Sequence, residues 1–354
     1  MIPLVDLTAQ HDSIREELDT AIARVVSSGR YVLGEEVEAF EYEVATYLGV
    51  KYAVGVASGT DALYLALKAV GIGLHDRVVT TPFTFVATAE AIVRCSATPV
   101  FVDVNESGNL STGVVCAYCI ENTVDAIIPV HLYGNPVRVD ELPKVPIIED
   151  SAQAAGMVHR GGTIACFSFF PSKILGCMGD GGLIATDNEH IAKIAKRLRN
   201  HGNSGGYVYL EHGINSRLDE LQAAILRVKL KYLDQWTDAR RRLAALYDTL
   251  LPQQVELLSR QENSVCNYYT IKVEDRDNLR RHLSDRGIAS AVYYPLPLHL
   301  QPVYSYLGYG HGSFPVAERL AERVLSLPLY PELAEEAVVM IANVIRTYYN
   351  QREQ

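Results

Sequence analysis

Several residues of this chain have the types and settings to act together on a phosphorylated, carbonyl-bearing ring. Lys173 lies in the turn Pro171-Ser172-Lys173-Ile174-Leu175-Gly176, just past Ala165 to Phe170, an apolar, aromatic run of strand length. Asp150 follows another β-like run, in Ile148-Glu149-Asp150-Ser151-Ala152-Gln153. Ser58-Gly59-Thr60-Asp61 stands between a short β-like run and an apolar helix. At such a helix start, unpaired N–H groups and the positive dipole end favour phosphate. Phe85 adds an aromatic face. An amine that condenses with an aldehyde, a carboxylate that keeps a pyridine nitrogen protonated, a phosphate cradle and a stacking ring make up the set that pyridoxal phosphate needs. The same amine, once released, can carry a proton between carbon atoms.

Each member also has a plain reading. A lysine on a glycine-rich turn can simply stand in solvent. Ser58 or Thr60 can be an ordinary N-cap, as can Asp150. Phe85 can be core, and Asn215 can cap a loop. Other chemistries lack their signatures. The chain has no G-x-G-x-x-G after its first strand, no G-x-x-x-x-G-K-[ST] and no H-E-x-x-H. Cys116 and Cys119 form a C-x-x-C with no second pair at zinc-ribbon spacing, and they read as part of one helix turn.

The elements that must position these residues alternate. Helices are expected over His11 to Ser28 and from Val37 to Leu48, then strands and helices in turn from Tyr52 to Ile148. That alternation predicts βαβ crossovers and a mainly parallel sheet, with ligands at the carboxyl ends of strands. A basic helix over Asn188 to Asn200 precedes a loop, His201 to His212. A long helix from Leu218 to Leu250 is expected to bridge two domains, divided as 1–235 and 236–354. Beyond it the pattern is α+β: a strand over Cys266 to Val273, a helix over Arg276 to Arg286, a strand over Ala289 to Tyr294, and helices near Val316 to Leu325 and Ala334 to Tyr348.

Length and charge limit the class. At 354 residues the chain holds one large domain plus a smaller one, and 32 basic against 42 acidic residues give a formal charge of −10. Such a charge disfavours nucleic acid or an anionic membrane as a partner. No apolar run reaches spanning length and the amino terminus has no basic n-region, so a cytoplasmic protein with reduced thiols is expected.

An ordered series of motifs resembles the DegT/DnrJ/EryC1/StrS family of nucleotide-sugar aminotransferases, of the aspartate-aminotransferase fold type. The series runs through Pro3-Leu4-Val5-Asp6-Leu7, Ser58-Gly59-Thr60-Asp61-Ala62-Leu63, Thr81-Pro82-Phe83-Thr84-Phe85-Val86-Ala87-Thr88 and Pro99-Val100-Phe101-Val102-Asp103-Val104. It continues with Pro129-Val130-His131-Leu132-Tyr133-Gly134, Ile148-Glu149-Asp150-Ser151-Ala152-Gln153, Phe167-Ser168-Phe169 with Lys173, Gly213-Ile214-Asn215-Ser216-Arg217, and Ser326-Leu327-Pro328-Leu329-Tyr330-Pro331.

The resemblance implies fold type I, with a mainly parallel sheet sandwiched by helices and a smaller α+β carboxyl-terminal domain. It implies that Lys173 condenses with pyridoxal 5'-phosphate, Asp150 pairs with the pyridine nitrogen, Gln153 bonds the ring hydroxyl and Phe85 stacks on the ring. Phosphate would lie against Gly59, Thr60, Asp61 and Ser168, with Asn215 reaching the phosphate of a second subunit in a homodimer. Glutamate would load the cofactor as pyridoxamine phosphate, which would then aminate a nucleotide-linked, dTDP-type keto sugar in a ping-pong cycle. Leu4-Val5-Asp6-Leu7 and Gly179-Asp180-Gly181-Gly182 resemble the branch that acts at C-3. The alternatives are amination at C-4, a dehydratase (which in the family carries histidine in place of this lysine) and a non-catalytic regulator. His131, Tyr133, Tyr294 and His299 are further cleft candidates. Two stretches, Gly134 to Val145 and Gly156 to Ala165, are shorter than the family pattern.

Overall fold

The computed structural model describes residues 1–157 and 161–352. Three helices open the chain, α1 (Leu7–Ser13), α2 (Arg15–Ser28) and α3 (Glu35–Leu48). There follow β1 (Tyr52–Val56), α4 (Gly59–Ala69), β2 (Arg77–Thr80), α5 (Ala87–Arg94), β3 (Thr98–Phe101), α6 (Thr112–Glu121), β4 (Ala126–Ile127), β5 (Ile148–Asp150), β6 (Ile164–Ser168), β7 (Gly182–Thr186) and α7 (Glu189–Leu198). The remainder holds β8 (Asn203–Gly205), β9 (Val208–Tyr209), α8 (Glu220–Leu230), α9 (Leu233–Leu250), β10 (Glu256–Leu257), β11 (Tyr269–Lys272), α10 (Arg276–Ser284), α11 (Pro315–Arg323), β12 (Val324–Leu327) and α12 (Glu335–Asn350).

β3, β2 and β4 pair in parallel, as do β5 and β6, while β7 runs antiparallel between β6 and β1. Parallel bridges Ile127–Ile147 and Val130–Asp150 join the two sets. The result is one mainly parallel sheet in the order β1-β7-β6-β5-β4-β2-β3. Successive strand residues face opposite sides, so both faces need cover. Val54, Val78 and Ile184 pack on one side with Leu65 of α4, Ile92 of α5 and Ala195 of α7. Ala53, Phe167 and Leu183 pack on the other with Phe40 and Val44 of α3 and Leu226 of α8. Glu220 pins α3 there, its buried carboxylate accepting from the N–H groups of Gly34, Glu36 and Val37 at 2.7, 2.9 and 3.0 Å. An acceptor from elsewhere in the chain thus caps a helix whose own cap residue, Gly34, has no side chain to offer.

A second, antiparallel sheet, β10-β11-β12, packs with α9, α10 and α12 around Leu243, Tyr247, Ile271, Leu279, Leu325 and Ile341. Asp103, just past β3, reaches across to this half. Its oxygens accept from Val316 and Ala317 N–H, both at 3.0 Å, at the start of α11.

Five expectations change. The first helix is broken at Ile14 into α1 and α2. The long helix is broken after Leu230, so that α8 covers the main sheet with Leu226 while α9 sends Leu243 and Tyr247 into the second core. Residues 289–294 form no strand beyond the single bridge of Ala291 to Ser326. Val324 and Leu325, expected to end a helix, instead open the buried strand β12 (Val324–Leu327). The loop 201–212 carries the small β8–β9 pair. The short stretch after Gly134 holds only single 3-10 turns and leans on the carboxyl-terminal half, where Val265 N–H donates to Gly134 O at 2.9 Å. Of the 156–165 stretch, residues 158–160 lie outside the described residues.

Candidate active site

The turn after β6 is closed by the backbone. Lys173 N–H donates to Phe170 O at 2.8 Å, and a side chain at Gly176 would sit 2.3 Å from Pro171 O, so only glycine fits. Lys173 is thereby set back into the cleft beside the end of β5. Desolvation lowers its amine from an ordinary 10.5 to about 8, against the pull of Asp150. That brings a neutral, nucleophilic amine within reach of physiological pH.

Asp150 ends β5 and is 6% exposed. Its Oδ2 accepts from Thr88 Oγ1 at 2.8 Å and its Oδ1 from Ala152 N–H at 3.2 Å. Burial raises its carboxyl above the ordinary range. The bonds from Thr88 and Ala152 and the electrostatic influence of Lys173 and His131 oppose the rise without cancelling it. A buried carboxylate in this state is under-compensated, and a protonated ring nitrogen is the kind of partner it lacks.

Ser58 caps α4, its hydroxyl accepting from Asp61 N–H at 3.1 Å. The N–H groups of Gly59 and Thr60 sit at the start of the helix, where no intrahelical acceptor exists. Ser168, the last residue of β6, lies directly against Gly59: a Cβ on Gly59 would stand 2.7 Å from the Ser168 Cβ. A hydroxyl and a free helix start therefore share one cradle. Asp61 contributes least to it, because its N–H is taken by Ser58 and its carboxylate faces Arg94 Nη1 at 3.2 Å.

Gln153 is held on both sides. Its Oε1 accepts from Tyr133 N–H at 2.6 Å, and its Nε2 donates to the Tyr294 hydroxyl at 3.2 Å. Phe85 is 55% exposed, so its ring is not core, and it lies 6.2 Å from the Tyr294 ring. The Tyr268 ring lies tilted against that of Tyr293, centroids 4.6 Å apart, and its hydroxyl faces Ser172, the neighbour of Lys173.

Lys173, Asp150, Gln153, Gly59, Thr60, Ser168 and Phe85 thus converge, and Tyr294 and Tyr133 join them through Gln153. His131 and His299 do not. The buried His131 accepts from Val137 N–H at Nδ1, which leaves Nε2 to donate to Glu149 Oε2 at 2.8 Å, on the side of β5 away from Asp150. His299 is bonded to Glu318 at 3.0 Å. Asn215 is exposed, its backbone bridged to Asn200. The sequence reading missed Thr88 and Tyr268. Thr88 stood inside a quoted motif, but nothing in the spacing aims its hydroxyl at a carboxylate so distant in the chain.

The described residues fit pyridoxal phosphate on three structural counts. An amine of lowered basicity lies beside Asp150, that buried carboxylate forms no ion pair among the described residues, and glycine leaves room at an uncapped pair of N–H groups. Among the described residues there is no cluster of His, Cys, Asp and Glu that could hold a metal ion.

Comparison with known proteins gives the same direction. The model of the DegT/DnrJ/EryC1/StrS aminotransferase family matches residues 12–346. The chain is 40% identical to the dTDP-3-amino-3,4,6-trideoxy-alpha-D-glucose transaminase of Streptomyces venezuelae, over 100% of this chain and 97% of the relative. It is 44% identical to the UDP-N-acetyl-3-dehydro-alpha-D-glucosamine 3-aminotransferase of Acidithiobacillus ferrooxidans, over 98% and 97%. Among solved structures it superposes on S. venezuelae DesV in complex with a ketimine intermediate, with a TM-score of 0.95, 40% identity and 98% of each chain covered.

Proposed function

The chain belongs to the DegT/DnrJ/EryC1/StrS aminotransferase family, and from that premise we propose that it transfers an amino group to C-3 of a nucleotide-linked keto-deoxy sugar, with L-glutamate as donor and pyridoxal phosphate as cofactor. The observation that carries the reading is the pairing of a low-basicity Lys173 amine with the buried Asp150 carboxylate beside the Gly59–Ser168 cradle. The position rests on the names of the two transaminase relatives, which both place the amino group at C-3. One of them names a dTDP sugar and the other a UDP sugar, so thymidine and uridine carriers are both candidate handles.

Pyridoxal phosphate, when bound, supplies the electron sink through which an amino group can pass from donor to keto acceptor. The protein's own residues do the rest. Gly59 and Thr60 N–H and the Ser168 hydroxyl bind a phosphate dianion at the positive end of α4. Asp150 holds a proton on a pyridine nitrogen, and Gln153 orients a ring hydroxyl while Tyr133 and Tyr294 fix its amide. Phe85 offers an uncovered aromatic face. Lys173 Nζ, neutral above about pH 8, takes a proton from one carbon and returns it to another. In the homodimer of this reading, Asn215, exposed in the single chain, serves the phosphate bound by a second copy. Retention of both Lys173 and Asp150 argues against a degraded, purely regulatory scaffold.

The test is a visible spectrum with added pyridoxal phosphate, borohydride reduction and peptide mapping, followed by assays with glutamate and nucleotide sugars bearing a 3-keto or a 4-keto group. A phosphopyridoxyl group on Lys173 and turnover of the 3-keto sugar are expected. Absence of the adduct, or turnover of the 4-keto sugar alone, overturns the reading.

A further inference from the structure

Asp150 is steadied by a donor from another element, outside the residues assigned above to the cofactor. Thr88, in the first turn of α5, is fully buried, and its Oγ1 donates to Asp150 Oδ2 at 2.8 Å. Because that hydrogen is committed to the carboxylate, the neighbouring hydroxyl of Thr84, 3.1 Å from Thr88 Oγ1, must be the donor to Thr88. Thr84, Thr88 and Asp150 are all buried, so water cannot stand in for either hydroxyl. A chain of two hydroxyls ending on a carboxylate is polarised in one sense, each donor strengthening the next.

We propose that Thr88, backed by Thr84, is a positioning residue for Asp150, holding the carboxylate ionised and fixed in rotation for a protonated pyridine nitrogen. The inference rests on the cofactor reading above and adds to it a residue that touches no ligand itself. Thr88 already occupies Oδ2 from within the protein, and Ala152 N–H meets Oδ1 at the longer 3.2 Å. Removing the Thr88 hydroxyl leaves Oδ2 facing a methyl group. Hydrogen bonds to charged groups are the stronger ones, and an orphaned buried acceptor loses its full compensation.

The experiment is a titration of cofactor-free protein with pyridoxal phosphate, followed by absorbance from pH 5.5 to 9 (about half-unit steps), on wild type and T88V, T88S and T84V. T88V is expected to bind about 10- to 100-fold more weakly near neutrality. Its acid limb of binding should move up by about one pH unit, because the carboxylate protonates more readily without its donor. T88S, which restores the hydroxyl, should stay within about threefold of wild type, and T84V should show a smaller shift of the same sign. The other titratable groups that act electrostatically on Asp150, namely Lys173, His131, Cys166 and Tyr294, are unchanged across the set, so the displacement reports the hydroxyls.

A purely structural threonine would lower the melting temperature of the cofactor-free protein and leave the acid limb where it was, which overturns the proposal. An unmoved limb in T84V does so even where T88V fails to fold. Wild type that never binds pyridoxal phosphate overturns the cofactor reading itself, a result distinct from failure in the variants alone.

Discussion

At the residue scale, Lys173 and Asp150 illustrate how burial sets chemistry. Lys173 loses basicity because water is excluded from its amine, and Asp150 gains it for the same reason. The sign for stability follows. Lys173 titrates at about 8 in the fold and near 10.5 when unfolded, so charging it costs the fold below about pH 8. That cost disappears as pH rises from 8 toward 10.5. In the cofactor-free protein, labelling of Lys173 by an amine-specific reagent should rise with a midpoint near pH 8, and a midpoint near 10.5 would contradict this account. Lys173 and Asp150 were legible in the sequence because each sits at the end of a β-like run, where a parallel sheet gathers its ligands. Thr88 and Tyr268 were not, because their roles depend on rotamers and on contacts between distant segments.

The cradle belongs to the scale of elements. Helix α4 can offer its N–H groups only if its first residue stands against β6, and Gly59 permits this by having no Cβ to meet Ser168. Gly59→Ala forces that contact at 2.7 Å, and the Ser168 side chain or the helix must shift. Such overpacking typically costs about 1–3 kcal/mol. Affinity for pyridoxal phosphate should fall by about tenfold or more, since each 1.4 kcal/mol is a factor of ten. Calorimetry of the variant checks both, and unaltered affinity would remove Gly59 from the cradle. The alternation of strand and helix was readable from periodicity. The breaks at Ile14 and after Leu230 were not, since neither falls at a glycine or proline; after Leu230 the chain changes the core it serves.

For the whole molecule, the two halves share a buried cluster in which Phe83, Phe101 and Val130 meet Tyr304, Phe314 and Leu320, and Asp103 adds a polar contact to α11. Pro315 opens that helix and has no N–H, so Val316 and Ala317 present the first orphan donors and Asp103 takes both. Asp103→Ala removes a cap supplied by the opposite half and should cost about 0.5–2 kcal/mol, measured by urea denaturation. Asp103→Asn, which keeps one acceptor, should recover part of it. Equal stability of all three proteins would show that the contact contributes nothing.

The pairing of β1 with β7 has a consequence for how the protein is born. Tyr52 faces Thr186 across the sheet, and Gly182 closes so tightly on Ser58 that a side chain there would lie 2.3 Å from its carbonyl oxygen. Neither Ser58 nor Gly59 can find its neighbours until β6 and β7 have left the ribosome. At about 5–20 residues per second, synthesis of the intervening chain occupies on the order of ten seconds. During that interval β1 is an unpaired edge, and α4 has no strand against which to set its first turn. The phosphate cradle is therefore a late product of synthesis, closed by long-range strand pairing of the kind that folds slowly. A nascent chain stalled before Gly182 should bind no pyridoxal phosphate, however complete its first helices are.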